Sequence, residues 1–330
     1  MKRGAFLLVL VLSLVAGMPA TRAAAQAAEY PSRLVTIVAP SAPGGLYSLF
    51  ARIIANRLEQ RLGRTFLVEN RPGAASVLGA ATVARAPADG YTLMVASGAT
   101  LAVNVTLHKT LPYDPVADFV PIALIARVPE VLVIDPALPV RSLADLSALA
   151  KSEPSRPLTF ASAGPGTAQH LEGEMLNRAL GLDMTHVPYK GALPALNDVI
   201  AGHATMMFSP VANALPMIEA GKVRALGLAA RERVEALPDV PPLAEIGVPG
   251  FEASGWFMLV APAATPAPIV ARLHAELQQI LADPQLRTQF IRQGLIPAEA
   301  ATPDRLKAYV GEQIASWRET LARIGLAGME

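Results

Sequence analysis

The amino-acid sequence predicts an α/β fold of two lobes, in which each lobe is a mixed, mostly parallel sheet flanked by helices. Short apolar runs alternate with longer helical runs in the first third of the chain, and a second alternation of the same kind begins near residue 141. Such alternation favours parallel strands joined by right-handed helical crossovers. Two long apolar segments, Val120 to Ile134 and Phe251 to Val260, flank the second alternation and predict the crossings between the lobes.

The first alternation and the end of the chain together predict lobe 1, which comprises residues 30–125 and 252–330. Turns rich in proline and glycine separate its elements. The predicted elements are the strands Leu34 to Ala39, Phe66 to Glu69 and Tyr91 to Ala96, and the helices Leu46 to Leu62, Ser76 to Arg85, Ala267 to Leu281, Pro284 to Gln293 and Pro303 to Ile324. The last helix has apolar residues at spacings of three and four, which predicts one buried face.

The second alternation predicts lobe 2, residues 126–251. Ser142 is predicted to cap its first helix, which runs to about Lys151. The other elements are the strands Leu158 to Ser162, Met184 to Pro188, Thr205 to Phe208 and Val223 to Ala229, and the helices Ala168 to Leu180, Leu193 to Ala201 and Ala212 to Ala220. Two lobes joined by two crossing strands form the type II architecture of periplasmic binding proteins, which close around a ligand by rotation about those connections.

The N-terminal segment carries the three parts of a secretory signal peptide, and residues 1–25 are predicted to be removed. Lys2 and Arg3 precede an apolar run from Ala5 to Met18, and small residues follow. An uncleaved N-terminal anchor is the alternative, although the run is short for a membrane span. We therefore expect the mature chain in the periplasm, and we expect it to be a monomer.

Composition argues against several classes of partner and of stabilising chemistry. The whole chain has 28 basic and 27 acidic residues, and removal of Lys2, Arg3 and Arg22 with the signal peptide leaves 25 and 27, a net charge of −2. This balance, without a basic run, argues against nucleic acid as a partner. The chain contains no cysteine, so we expect neither disulfides nor a lipid anchor on cysteine.

Glycine-bearing turns that open helices are the candidate binding elements. The stretch from Val38 to Gly45 ends a strand and leads directly into a helix, so it presents free backbone N–H groups to an anion. The segments Ser97 to Thr100, Ala163 to Thr167 and Tyr189 to Gly191 follow other strands in the same way. Ligands of open α/β sheets gather beyond the carboxyl ends of the strands. An ordinary strand–turn–helix connection is the alternative for the first turn.

The sequence offers no catalytic or cofactor motif, and we expect neither an enzyme nor a bound cofactor or metal. Gly164 and Gly166 partly match a dinucleotide fingerprint, but Gln169 takes the place of its third glycine. The five histidines lack metal-ligand spacing, and no Gly-x-Ser-x-Gly elbow occurs. His170 is predicted to cap or pack near a helix start, with contact to a ligand as the alternative.

A series of motifs runs in order along nearly the whole mature chain. They are Tyr30 to Arg33, Pro43 to Gly45, Val68 to Ala74, Asp89 to Leu93, Leu111 to Pro115, Ser162 to His170, His186 to Gly191 and Ala236 to Pro241. These motifs resemble the Bug-type solute receptors of tripartite tricarboxylate transporters. The resemblance implies an exported receptor that captures a small carboxylate, largely through backbone groups and ordered waters, and delivers it to membrane transporter subunits. A receptor that presents the bound carboxylate to a sensor or regulator is the alternative.

The resemblance also implies which residues contact the ligand. Matched by position, the contacts are Ser41, Ala42, Gly44, Gly45, Leu46, Tyr47, Ser97, Gly98, Ala99, Thr100, Ser162, Ala163, Gly164, Gly166, Tyr189, Lys190, Gly191 and, as a weaker candidate, Ser209. Tyr47 and Ser48 stand where the family usually has a Thr-Asp pair, and Ser209 replaces another Asp. These changes remove negative charge, so we expect a more anionic ligand. We also expect Tyr47 to stack on, or hydrogen-bond to, a ring of the ligand.

Overall fold

The computed structural model describes residues 30–152 and 158–328, and the predicted signal peptide lies outside this range. Its strands are β1 Val35–Ala39, β2 Phe66–Asn70, β3 Thr92–Ser97, β4 Phe119–Val128, β5 Glu130–Ile134, β6 Thr159–Ser162, β7 Thr185–Pro188, β8 Met206–Pro210, β9 Arg224–Leu228, β10 Gly255–Pro262 and β11 Ile296–Pro297. Its helices are α1 Leu46–Leu62, α2 Val77–Ala84, α3 Asn104–Leu107, α4 Leu143–Ser152, α5 Ala168–Leu180, α6 Ala192–Ile200, α7 Val211–Glu219, α8 Ala267–Ala282, α9 Pro284–Arg292 and α10 Pro303–Ile324. The predicted bounds of α1, α5 and α10 are confirmed to the residue.

The first sheet lies in lobe 1 and has the strand order β11-β4-β10-β3-β1-β2. β1 pairs in parallel with β2 and β3, while β10 is antiparallel to both β3 and β4. β11 is also antiparallel to β4, so β10 and β11 run against the other strands of this sheet. Apolar residues of α1 and α8 cover one face, and those of α2 and α10 cover the other.

The second sheet lies in lobe 2 and has the strand order β7-β6-β8-β5-β9. β6 is parallel to β7 and β8, and β5 alone runs against the other strands of this sheet. Helices α4 and α5 cover one face, and α6 and α7 cover the other. Two mixed sheets, each held between two layers of helices, confirm the predicted fold class. The predicted lobe limits, 30–125 with 252–330 and 126–251, stay predictions.

The chain passes from the first sheet to the second at Pro129. The sequence predicts one strand from Val120 to Ile134, and this prediction is wrong because β4 and β5 belong to different sheets. Pro129 lies between them and has no backbone N–H with which to continue a ladder. Its carbonyl accepts the N–H of Val211 at 3.0 Å. The chain returns after β9, where β10 begins at Gly255 opposite Val128, the last residue of β4.

Two further contacts join the lobes. Leu171 of α5 packs into a cluster with Leu321 of α10, and Trp317 of α10 touches the cores of both lobes. Trp317 is therefore a packing residue. In the second contact, Gly294 of lobe 1 lies against Val211 of lobe 2 so closely that an added Cβ would collide with the valine side chain. The φ of Gly294 is +71°, so its backbone angle also favours glycine.

Candidate functional site

The predicted binding loops lie at one edge of each sheet, and both edges face the crossing between the lobes. β1, β3 and β4 point the same way, and β4 ends at Val128 beside the crossing. In lobe 2, β6, β7 and β8 point the same way, and β8 ends at Pro210 opposite Glu130, the first residue of β5. The loops after β1, β3, β6 and β7 therefore open toward the junction, where a ligand held between lobes would lie.

In lobe 1 the turn after β1 leads into α1 without a side-chain cap. Gly45 is the N-cap residue, and no side chain accepts the first N–H groups of the helix. Such groups have no intrahelical partner and carry the positive end of the helix dipole. Residues 42–45 are exposed. The turn is held by Asn70, whose amide donates to the Ser41 carbonyl at 3.0 Å and to the Ser48 hydroxyl at 2.6 Å.

Four hydroxyl groups from three loops meet in lobe 1, and we call them the hydroxyl cluster. Its members are Tyr47 of α1, Ser76 after β2, Ser97 at the end of β3 and Thr100 in the following turn. Tyr47 Oη lies 2.5 Å from Ser97 Oγ and 3.0 Å from Thr100 Oγ1, and Ser76 Oγ lies 2.8 Å from Thr100 Oγ1. The Tyr47 ring packs edge-on against Phe257. The Tyr47 hydroxyl thus bonds within its own lobe, and its contact with a ligand ring stays a prediction.

The turn after β3 is packed tightly against the core. A Cβ on Gly98 would lie 2.8 Å from Nε1 of the buried Trp256, so glycine is required for this close approach. The Trp256 indole donates to Gln313 at 3.1 Å, and the Tyr113 hydroxyl donates to the Thr100 carbonyl at 2.7 Å. Burial raises the pKa of Tyr113, so its hydroxyl stays a donor at physiological pH. These contacts fix the position of the turn that carries Thr100.

In lobe 2 the turns after β6 and β7 depend on glycine and backbone groups. Gly164, Gly166 and Gly191 have φ values of +130°, +70° and +127°, which residues with a Cβ rarely adopt. A Cβ on Gly164 would lie 3.3 Å from the Tyr189 carbonyl oxygen, so the two turns are in contact. The helices that follow them, α5 and α6, also begin without a side-chain cap. Uncapped helix starts therefore come from both lobes.

Two stacked histidines support the first of these turns. His170 and His186 stack with their ring centroids 4.1 Å apart, and His170 Nδ1 accepts the Gly166 N–H at 3.2 Å. His186 Nε2 lies 2.7 Å from Ser162 Oγ. Burial lowers the pKa of His170, and burial together with His170 lowers the pKa of His186 to about 4. Both rings are therefore neutral at physiological pH, and His170 packs near its helix start as the sequence predicts.

The other predicted contacts in lobe 2 differ in exposure. Lys190 is exposed to solvent. The Tyr189 hydroxyl donates to Asp198 at 2.6 Å, and burial together with this bond raises the pKa of Tyr189 to about 12. Ser209 is fully buried in β8, and its hydroxyl donates to the Pro210 carbonyl at 3.4 Å. Ligand contact by these residues stays a prediction, and burial makes Ser209 the weakest of them.

Lobe 2 also buries two carboxyl groups near the crossing. Glu130 Oε1 accepts the amide of Gln169 at 2.9 Å, and Glu172 of α5 interacts with Glu130. In the described part of the chain, Oε2 of Glu130 and both carboxyl oxygens of Glu172 have no hydrogen-bond partner. Burial raises the pKa of Glu130 to about 8, and burial together with Glu130 raises the pKa of Glu172. At least one of the two groups is therefore neutral at pH 7.

Several residues that build the site were not predicted from the sequence, and Ser76 and Asn104 are the clearest cases. Asn104 donates to the Ala75 carbonyl at 3.2 Å and so supports the loop that carries Ser76. The available signal was the sheet edge, because a loop after β2 must end beside the loops after β1 and β3. No sequence pattern, however, indicates that an alanine and a serine at positions 75 and 76 adopt φ values of +47° and +80°.

Two surface grooves are lined by residues other than the predicted contacts. One is lined by α9 residues alone, Pro284, Gln285, Thr288, Gln289 and Arg292. The other, of about 650 Å³, lies between residues 105–116 and α10. Within residues 30–152 and 158–328, no group of three or more His, Asp or Glu residues is arranged to hold a metal ion. No helix in those ranges is both long enough and apolar enough to cross a membrane.

Known proteins are similar to this chain in sequence and in fold. Residues 50–326 match the family described as the tripartite tricarboxylate transporter family receptor. The chain is 34% identical to Protein BugT of Bordetella pertussis over 322 residues, which cover 96% of this chain and 98% of BugT.

Two solved structures extend this similarity to the whole fold. The structure of R. palustris Rpa4515 with adipate is 35% identical, has a TM-score of 0.84, and covers 90% of this chain and 99% of its own. MatC from Rhodopseudomonas palustris with bound malate is 36% identical, has a TM-score of 0.80, and covers 88% of this chain and 100% of its own. The matched family, the full-length relatives and the shared fold establish that this chain belongs to the tripartite tricarboxylate transporter family receptors.

Proposed function

We propose that this chain is a periplasmic solute receptor that captures a small carboxylate in the cleft between its lobes. It acts as a monomer, delivers the carboxylate to the membrane subunits of a tripartite tricarboxylate transporter, and catalyses no reaction on it. The family supports the transport role, and the adipate and malate bound by two structural neighbours support a carboxylate ligand. The signal-peptide pattern at the N-terminus supports export to the periplasm.

This proposal rests on the helices that begin without a side-chain cap at the junction of the lobes. α1 in lobe 1 and α5 and α6 in lobe 2 each begin without a side-chain cap. One helix end contributes roughly 0.3 to 1 kcal/mol to anion binding, whereas micromolar affinity needs about −8 kcal/mol. Several N–H groups must therefore act together with the hydroxyl cluster, and this requires both lobes to close on the ligand.

The charge of the predicted contact residues favours an anion. The set contains no acidic side chain and one basic side chain, Lys190. Among these residues a carboxylate meets no like charge, and its oxygens accept hydrogen bonds from N–H and O–H donors on both sides. A cationic ligand would find no opposite charge among the same residues.

Calorimetric titration of the mature protein with succinate, malate, adipate and benzoate tests capture. We expect micromolar binding of at least one of these acids. Trp256 packs against Gly98 in the predicted site, so its fluorescence should change on binding. Dimethyl adipate, which keeps the chain of adipate but lacks both carboxylates, is the control and should not bind. If none of the four acids binds or raises the melting temperature, the proposal is wrong.

Delivery and the absence of chemistry need separate measurements. Deletion of the gene in its host should abolish high-affinity uptake of the acid that binds best, and reintroduction of the gene should restore it. The acid should be recovered unchanged after long incubation with the protein, as judged by mass spectrometry. Normal uptake in the deletion strain would refute delivery, and a new product would refute the absence of catalysis, even where capture holds.

A further inference from the structure

We propose that Ser76 is a specificity-determining residue, which orients the hydroxyl cluster so that it donates a proton to a ligand carboxylate in preference to a carboxamide. This inference rests on the proposed function and states which chemical group lobe 1 recognises. Ser76 acts through Thr100 and Tyr47, so it is a positioning residue for the binding turn.

Without Ser76, the other three hydroxyl groups of the cluster can close a ring. Tyr47 Oη lies within hydrogen-bond distance of both Ser97 Oγ and Thr100 Oγ1, and Ser97 Oγ lies 3.3 Å from Thr100 Oγ1. In a closed ring each hydroxyl donates to the next, because each carries a single proton. Such a ring has no proton left for a ligand.

Ser76 prevents this ring by donating a hydrogen bond to the Thr100 hydroxyl oxygen. The hydroxyl oxygen of Thr100 has two lone pairs, and one of them accepts the Ser97 N–H at 3.4 Å. Ser76, at 2.8 Å, takes the other lone pair. Ser97 Oγ then cannot donate to Thr100, and it accepts the Thr100 N–H at 3.3 Å. In the bond between Ser97 and Tyr47 either hydroxyl can be the donor. Ser97 is 7% exposed, whereas Tyr47 is half-buried. Because buried donors are satisfied in folded proteins, Ser97 donates to Tyr47, and the proton of Tyr47 points out of the cluster.

The direction of the bond between Ser76 and Thr100 follows from burial. The Ser76 residue is 5% exposed, and Thr100 is the partner of its hydroxyl among the described residues. If Thr100 donated to Ser76, the Ser76 proton would be buried without an acceptor, an arrangement that folded proteins avoid. Ser76 is therefore the donor, and its bond to Thr100 sets the direction of the other hydrogen bonds in the cluster.

Ser76 is held in this position in a backbone conformation that residues with a Cβ disfavour. Ala74, Ala75 and Ser76 have successive φ values of +44°, +47° and +80°, although residues with a Cβ rarely adopt even one such value. Asn104 donates to the Ala75 carbonyl and helps to hold the turn. Strain of this kind persists where the surroundings fix it, and it concentrates at functional sites.

The outward proton at Tyr47 selects the ligand group. Both oxygens of an ionised carboxylate only accept hydrogen bonds, and the charge strengthens each bond. A carboxamide of the same shape lacks the charge and replaces one acceptor with an NH₂ donor. A dicarboxylate should therefore bind more tightly than its monoamide, and part of this difference should depend on the Ser76 hydroxyl.

Calorimetry with adipate and its monoamide, or with succinate and succinamate if that pair binds better, tests the proposal on two variants. Ser76→Ala removes the hydroxyl and keeps the backbone strain, whereas Ser76→Gly removes the hydroxyl and relieves the strain. Both variants should lower the ratio of carboxylate to amide affinity about fivefold, the effect of one hydrogen bond. Ser76→Gly should also melt at a higher temperature than Ser76→Ala.

Ser142→Ala is the control, since this hydroxyl caps α4 in lobe 2 and accepts the Asp145 N–H at 3.1 Å. It should leave the affinity ratio unchanged even if it lowers the melting temperature. Equal losses for acid and amide in the two Ser76 variants would assign Ser76 a structural role and overturn the inference, as would unchanged affinities. If the wild-type protein binds none of these acids, the proposed function itself fails, and the inference falls with it.

Discussion

The two lobes present different buried side chains to the junction between them. Lobe 1 offers the hydroxyl cluster, whose uncharged groups bond to one another and to backbone atoms. Lobe 2 offers glycine turns beside His170 and His186, and it buries Glu130 and Glu172 near the crossing. Hydroxyl groups of serine and threonine do not titrate, whereas imidazoles and carboxyls do. Lobe 1 is therefore suited to select a ligand group with little dependence on pH between 6 and 8, while the shape of lobe 2 depends on backbone freedom and on protonation.

The largest effect that we expect comes from a substitution that restricts the backbone of a glycine turn in lobe 2. Gly164→Ala places a Cβ at φ +130° and 3.3 Å from the Tyr189 carbonyl oxygen. The turn can relieve this strain only by moving, so we expect a loss of about 3 kcal/mol of binding free energy, roughly a hundredfold in Kd. Calorimetric titration with the best-binding dicarboxylate measures the change.

Gly181→Ala is the matched control for this prediction. Gly181 ends α5 with φ +61°, and an added Cβ there meets no atom within 4 Å. The control should lower the melting temperature but leave Kd within about twofold, because it carries the backbone cost of a left-handed residue without touching the turn. Equal losses of affinity in both variants would show that general destabilisation, and not the turn, weakens binding.

The buried carboxyl pair makes the stability of lobe 2 depend on pH. Folding raises the pKa of Glu130 from 4.5 to about 8 and raises that of Glu172, so the folded state binds more protons than the unfolded state. The free energy of unfolding should therefore fall as the pH rises from 4.5 through 8. Glu172→Gln removes one carboxyl and the repulsion it exerts, so we expect a gain of about 2 kcal/mol at pH 8 and a smaller gain at pH 5.

Scanning calorimetry between pH 5 and 8.5 measures this slope in wild-type and variant proteins. Glu219, which is exposed on α7 in the same lobe, provides the control, and Glu219→Gln should keep the wild-type slope. A wild-type melting temperature that stays constant over this range would contradict the prediction. So would a Glu172→Gln slope equal to that of the wild type.

The matching test in lobe 1 should show no dependence on pH. Tyr47→Phe removes the hydroxyl that bonds Ser97 and Thr100 and keeps the ring against Phe257. We expect ligand affinity to fall about fivefold, or about 1 kcal/mol, because the cluster loses one of its links. The ratio of wild-type to variant Kd should be the same at pH 6 and pH 8. A ratio that changes between these values would mean that a titrating group controls lobe 1 as well.

Local patterns predicted most elements of both lobes, because each strand or helix depends on its own residues. The helices α1, α5 and α10 begin and end at the predicted residues, where glycine caps or changes in apolar spacing mark the limits. The error at Pro129 arose because an apolar run does not reveal which sheet its strand joins. That choice depends on distant partners, β10 for β4 and β8 for β5.

The candidate site was predictable only in part, for the same physical reason. Glycine and proline mark turns directly, so the turns at Gly45, Gly98 and Gly164 were found from sequence. Ser76 was missed because its role depends on a left-handed backbone and on Thr100, which is distant in sequence. Glu130 and Glu172 were missed because burial of a charged residue is set by the elements that pack around it.

The smallest expected effect concerns Ser209, which the family resemblance places among the ligand contacts. Its side chain is fully buried in β8, and its hydroxyl makes one long bond of 3.4 Å to the Pro210 carbonyl. A bond of this length contributes little, so Ser209→Ala should change Kd by less than about twofold and stability by less than about 0.5 kcal/mol. Titration and thermal melting of the variant measure both quantities. A loss of affinity above tenfold would instead place Ser209 at the ligand and require lobe 2 to rearrange around β8 on closure.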